Sequence, residues 1–407
     1  MPRILINALS STAGGGITYL KNVLPRLERF DVMNHYVVLV PPEHFDQYKP
    51  YVTRHISIET VHPMGGTAGR LLWEQTFLRS FVRRRKIGVL VSLGNFAILG
   101  ARVPQVLFSR NDLYFSPDFE QDLKARGRQF DVVSNRLKSR LACASIRQAQ
   151  INITPTAAFA ARIRSHEGMD GIRFEVVPFG FDSEVFLGEG EPLSEEQLRL
   201  LEPGESCSRL LYVSNYNYFR NFETLIRALP FIRGEIRERE DRDVQLILTT
   251  DIRQGAVHGG YDSSAAAELI DQLRLRDNIA MLGPVDYHKL HHLYRMSDAF
   301  VCPSYSESFG HPLVEAMASG VPVVAANLPV HREVCEDAAL YFRPFDVREL
   351  ARQSVRVLTE PRLAEVMRSR GLERVRHFSW DDHVRKLIRL VERCLPYRAA
   401  VSKVFPV

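Results

Sequence analysis

Little in this 407-residue chain would staple, export or anchor it. Its five cysteines (Cys143, Cys207, Cys302, Cys335 and Cys394) are scattered, odd in number and without a Cys-x-x-Cys pair. That excludes a disulfide framework and a zinc-ribbon pattern, and it points to a reducing compartment. No apolar run approaches the roughly 20 residues a membrane helix needs. The opening MPRILINALSS lacks a signal-peptide layout, and its short apolar run reads as a first strand. Internal repeats and low-complexity tracts are absent. The formal charge of +5 is too small to mark a nucleic-acid binder, and no binding motif for nucleic acid accompanies it. What remains is a composition of 45% hydrophobic and 25% charged residues, that of a soluble globular protein. The length predicts two domains of about 180–200 residues each.

Strand-like runs alternate with amphipathic helical ones in both halves, the pattern of parallel α/β sheets. The first half predicts strands at Ile4–Asn7, Tyr36–Leu39, Ile56–Val61, Val89–Ser92, Gln105–Phe108 and Ile151–Thr154. The second predicts them at Leu210–Val213, Gln245–Leu248, Ile279–Leu282, Ala299–Cys302, Val321–Ala325 and Ala339–Phe342. Between them, Asp182 to Ser208 is acidic and carries Gly and Pro, as connectors do. The resulting division is 1–182, a connector at 183–208, a second domain at 209–378, and a C-terminal helix and tail at 379–407 that crosses back to the first domain.

The most informative stretch is Val301 to Pro329. A buried strand ends near Cys302, a loop runs from Ser304 to Gly310, and a helix follows with Pro312 in its first turn. Backbone N–H groups at such a helix start, backed by the aligned peptide dipoles, make an anion site. Glu307 precedes the helix and Glu315 lies about one turn inside it. A phosphate bound there has a carboxylate on either side to accept hydrogen bonds from sugar hydroxyls, which is the chemistry of a nucleotide-sugar site.

These residues resemble the retaining glycosyltransferase family 4, the group 1 glycosyltransferases. The likeness runs through Asn278–Val285, Leu290–Tyr294, Ser297–Val301 and the Glu307–Glu315 segment, and it ends at Phe378-Ser379-Trp380. It is weaker in the first half, at Gly14–Ile17, Arg70–Gln75, Ser109–Asp112 and Val176–Asp182. The resemblance implies an α/β GT-B fold: two facing Rossmann-like domains with parallel sheets and an interdomain cleft, the first binding acceptor and the second donor. It implies transfer of a hexosyl group from a nucleoside-diphosphate sugar to an acceptor hydroxyl, with retention. The expected setting is bacterial cell-surface polysaccharide assembly (lipopolysaccharide, O-antigen or exopolysaccharide), with a saccharide or lipid-linked saccharide acceptor. No cofactor and no metal are expected. By the same resemblance Glu315 meets the ribose, Glu307 faces the hexose, and the N–H groups of Phe309, Gly310 and His311 hold diphosphate or sugar. Gly15 and Gly16 approach the donor, unless Gly14–Gly16 is only a tight turn. Arg220 stands where the family usually has a phosphate-binding lysine, but the arginine that usually precedes it is missing. Arg110, Asn111 and Asp112 are acceptor-side residues or plain loop.

Asp241-Arg242-Asp243 mimics a metal-binding Asp-x-Asp, yet it lies in a charged run and reads as a solvated turn. Two basic stretches, Arg79 to Lys86 after the apolar run Leu71–Phe81, and Lys124 to Arg140, are either solvated helix faces or a surface for anionic membrane. The second reading places the protein in the cytoplasm at the inner face of the cell membrane. Two other readings stay open: a GT-B nucleotide-sugar epimerase or phosphorylase, and a non-catalytic nucleotide-sugar-binding subunit.

Overall fold

A computed structural model describes the whole chain apart from Ala13, Met64, Ser183, Glu184, Leu187, Glu189, Gly190, 202–206 and 396–407. Much of the expected connector and the end of the tail therefore lie outside the described residues. The chain divides into two compact units.

The first unit comprises 1–115, 128–180 and the chain from Ser379. Its strands are β1 (Arg3–Asn7), β2 (His35–Val40), β3 (Ile56–Thr60), β4 (Val89–Ser92), β5 (Gln105–Phe108), β6 (Ile151–Thr154) and β7 (Phe174–Val176). They form one sheet of order β3-β2-β1-β4-β5-β6-β7, parallel throughout. The central strands are near-continuous apolar runs because helices cover both faces of such a sheet. Leu5, Val37, Leu39 and Leu90 share a core with Leu78 and Val82 of the helix Gly66–Arg84, and Trp73 and Phe81 pack on its edge. The helix Trp380–Arg393 belongs to this unit as well, and its Asp381 pairs with Arg26 at 2.8 Å. Where the chain leaves the unit at Gly180 it lies against the point of return. A Cβ on Gly180 would fall 2.2 Å from the Trp380 backbone nitrogen, so only glycine allows the approach.

The second unit comprises 116–127 and 181–378. Beside a short antiparallel hairpin (Val257–His258 and Tyr261–Asp262), its main sheet is built of β8 (Cys207–Tyr212), β9 (Asp243–Leu248), β10 (Ile279–Met281), β11 (Ala299–Cys302), β12 (Val323–Ala326) and β13 (Ala339–Phe342). Their order is β10-β9-β8-β11-β12-β13, again all parallel. The helix Pro117–Ala125, which the sequence places in the first domain, sits here instead. Its Asp122 accepts from Tyr305 (2.7 Å), and Arg126 just beyond it pairs with Glu223 (3.1 Å) and lies 4.2 Å from the Tyr218 ring. The Lys124–Arg140 stretch is therefore not one basic face. It is split between this helix and the helix Gln129–Gln148 of the first unit.

Candidate functional site

In open parallel sheets, ligands bind beyond the carboxyl ends of the strands where the strand order reverses. In the second unit that reversal falls between β8 and β11. The loop after β8 carries Arg220 and the loop after β11 carries Glu307, so two residues far apart in sequence leave neighbouring strand ends. Their side chains form an ion pair between Arg220 Nη1 and Glu307 Oε1, and both are largely buried. Arg220 also reaches the Ser304 hydroxyl (3.5 Å), and its carbonyl accepts from the Tyr212 hydroxyl (2.9 Å). Asn221 follows in the left-handed conformation (φ 55°), which turns the chain sharply into the helix Phe222–Glu240. The Arg220 Nε–H is buried with no hydrogen-bond partner among the described residues, an arrangement that favours an incoming acceptor.

The helix His311–Ala318 starts behind this pair with Pro312 in its first turn, as its sequence predicts. Gly310, its cap, has φ 89°, so glycine is needed there for its left-handed backbone as well as for close approach. Phe309 is buried against Phe378, with ring centroids 5.5 Å apart, and holds the loop in place. Glu315 is buried one turn into the helix and accepts a hydrogen bond from the Tyr294 hydroxyl at 2.9 Å. Burial pushes its carboxyl up from 4.5 to about 7, and the Tyr294 bond opposes that rise. In return, burial and then the nearby Glu315 hold the Tyr294 and Tyr287 phenols well above their ordinary range. Sequence spacing alone did not pair either tyrosine with Glu315. The signal available was Tyr294 about one turn along a short buried helical run.

Other expected residues have clear positions. Gly15 and Gly16 open the helix Gly15–Phe30 of the first unit, after a Gly14 with φ 47°. A Cβ on Gly16 would meet the Ser11 Cα at 2.8 Å, so packing alone already demands glycine there. Arg110, also in the first unit, donates to the Gly15 carbonyl (3.1 Å), and its guanidinium lies 4.9 Å and 5.2 Å from the rings of Tyr19 and Phe179. The backbone N–H groups of Arg110 and Asn111 both donate to Asn95 Oδ1, at 2.6 Å and 2.9 Å. Asp112 is buried and pairs with Arg162 at 2.8 Å. Asp243 begins β9 and accepts from Arg233 and Arg237; those pairings hold its carboxyl well below the usual range. The Asp-x-Asp likeness is thus a local ion-pair cluster. One set of side chains with metal-binding chemistry does converge among the described residues, although spacing did not reveal it: Cys302, Glu307 and His331, all buried.

Comparison with known proteins bears on the family and the fold. Residues 200–374 match the family described as glycosyl transferases group 1. The O-antigen chain mannosyltransferase B of Escherichia coli is 31% identical over 172 residues, 42% of this chain and 42% of that protein, so less than half of that relative is matched. Among solved structures, the sucrose-phosphate synthase of Thermosynechococcus elongatus superposes with a TM-score of 0.74 at 18% identity, covering 99% of this chain and all of that one. The Anabaena protein Alr3699/HepE, solved with UDP-glucose, gives 0.70 at 19% identity over 97% of this chain and all of that one. At such identities the superpositions speak for the fold alone. Residues 200–374 are thus similar to the group 1 glycosyltransferases, and the two parallel-sheet units share the α/β fold of the GT-B enzymes.

Proposed function

We propose that this protein is a retaining hexosyltransferase of the family 4 type, moving a hexosyl group from a nucleoside-diphosphate sugar to an acceptor hydroxyl. The observation that carries the reading is the pair of buried carboxylates about one helix start, one held by Tyr294 and the other by Arg220. In this reading Glu315 accepts from the ribose hydroxyls and Glu307 from the hexose, while the N–H groups of Phe309, Gly310 and His311 meet the diphosphate. Arg220 neutralises the charge that develops on the leaving phosphate. One such donor in a dry site is worth about 3–4 kcal/mol of barrier. Glu307 already neutralises Arg220 in the free protein, so donor binding exchanges one anionic partner for another. The leaving phosphate takes the acceptor proton on the same face of the sugar, which retains configuration without a carboxylate nucleophile. Charge stabilisation by Arg220 and the helix start lets transfer run without a metal. Gly15 and Gly16 of the first unit serve the donor as well, and Arg110 and Asn111 serve the acceptor.

The setting we infer is cell-surface polysaccharide assembly on the cytoplasmic side of a bacterial membrane, with a saccharide or lipid-linked acceptor. The E. coli relative is named for O-antigen synthesis, which supports that setting. No helix among the described residues is long and apolar enough to cross a membrane. Peripheral contact is favoured instead by Phe130, Val133 and Leu137, exposed at helical spacing beside Arg136 and Arg140 on the helix Gln129–Gln148. A screen of UDP-, GDP-, ADP- and dTDP-sugars by thermal shift tests the donor half. A donor at 100 times its dissociation constant adds about 2.7 kcal/mol, enough to raise the melting temperature by several degrees. Stabilisation by one base class is the expected result; none by any nucleoside-diphosphate sugar contradicts the reading.

A further inference from the structure

Beneath Glu307 lies a second kind of chemistry that sugar transfer does not use. Cys302 ends β11, and His331 lies on the helix Pro329–Cys335 that follows the adjacent strand β12. Parallel pairing of these strands delivers both side chains to the same end of the sheet as the Glu307 loop. The Cys302 sulfur, a His331 ring nitrogen and a Glu307 carboxylate oxygen all lie within 4.8 Å of one another. His331 Nδ1 is 2.8 Å from the Ala326 carbonyl, which fixes the proton on that nitrogen. Nε2 then carries the lone pair, and it sits 3.9 Å from the Cys302 sulfur. An imidazole whose far N–H is anchored on a backbone carbonyl is oriented as metal-ligating histidines are.

We propose that Cys302, Glu307 and His331 form a site for a thiophilic divalent cation of the zinc class, and that the ion silences transfer by taking Glu307. Sulfur, imidazole and carboxylate are the three ligand types zinc accepts. At bond lengths of about 2.0–2.3 Å, tetrahedral ligand atoms stand about 3.3–3.8 Å apart, so the cluster need contract by about 1.5 Å at most. A solvent molecule completes the fourth position. Binding replaces the thiol S–H bond by a metal–sulfur bond and passes that proton to solvent, one proton for each ion bound. The thiolate and the carboxylate together balance the two charges of the cation. Glu307 belongs to both constellations, since in the free protein it holds Arg220 and in the metal-bound protein it cannot. The binding claim is independent of the transferase reading, while the silencing claim rests on it.

The test uses the full chain, stripped with a chelator and titrated with zinc against a chromogenic competitor, and separately with cobalt. The expected result is one ion per chain, a thiolate-to-cobalt charge-transfer band, and release of one proton. Cys302→Ala and His331→Gln touch no substrate; they are expected to keep metal-free turnover while binding the ion at least about tenfold more weakly. Absence of the charge-transfer band in the wild-type protein, which needs no variant to fold, overturns the site. So does undiminished binding in both variants. If the ion binds at this site but turnover is unchanged, the silencing claim is overturned. Metal-free protein that binds the ion but turns over no nucleotide sugar counts instead against the transferase reading.

Discussion

Glu315 is the residue whose environment says most about its task. Its buried carboxyl has its proton affinity raised from 4.5 to about 7 by desolvation, against the opposing hydrogen bond from Tyr294. The native state therefore binds more protons than the unfolded chain between those values. The stabilisation is fully present below about pH 4.5 and is lost as pH rises through about 7, a change of about 3 kcal/mol. Urea midpoints of the ligand-free protein should fall between pH 5 and pH 8, and Glu315→Gln should flatten that decline. Equal slopes in both proteins would show that Glu315 is not buried as described. The loop carboxylate Glu307 differs in being paired with Arg220. The places of Glu307 before the helix and Glu315 inside it were legible from Pro312 in the first turn. Their partners were not, since Tyr294 and Arg220 arrive from other strand ends and no local pattern encodes that meeting. The partner of Asp112 was hidden for the same reason: only the tertiary fold brings Arg162 to it.

At the scale of elements, the sequence speaks clearly where burial is complete. β4, β5, β6, β11 and β13 lie where the sequence places them, the first four buried along their whole length and β13 at its two ends. β8 and β9 begin earlier than expected, since Cys207, Ser208 and Asp243 join the ladder while adding no apolar signal. β7 was missed: it is three residues long, at the sheet edge and only partly buried. The basic stretches show how a helix face can mislead. Leu78 and Val82 are core, and Trp73 and Phe81 pack on it, leaving Leu72 and Phe77 exposed on the helix Gly66–Arg84. The cleaner stripe is Phe130, Val133 and Leu137, with Phe130 84% exposed. If that stripe docks on membrane, vesicles containing anionic lipid should float the protein, neutral ones should not, and a Phe130→Ser/Val133→Ser/Leu137→Ser variant should lose flotation. Flotation that ignores lipid charge or survives the triple change contradicts the membrane proposal.

On the scale of the whole molecule, the two units are built by a chain that moves between them more than once. Residues 116–127 leave the first unit for the second, and the chain from Ser379 returns. The return was foreshadowed by the helical break at Phe378-Ser379-Trp380, where Ser379 caps the new helix by accepting from the Asp382 N–H. The excursion of 116–127 was not, because Ser116-Pro117 opens that helix in the same way whichever core it joins. Each unit carries its own share of the proposed chemistry, with Gly15, Gly16 and Arg110 in the first and Arg220, Glu307 and Glu315 in the second. The central claim is that the second unit's buried carboxylates and lone arginine activate a nucleotide sugar. Turnover of the stabilising donor, followed by product release in the wild-type protein, Arg220→Ala and Glu315→Ala, tests it most directly. With folding of each variant verified by circular dichroism, the prediction is a loss of about 100-fold or more in each; near-normal turnover in both would contradict the account.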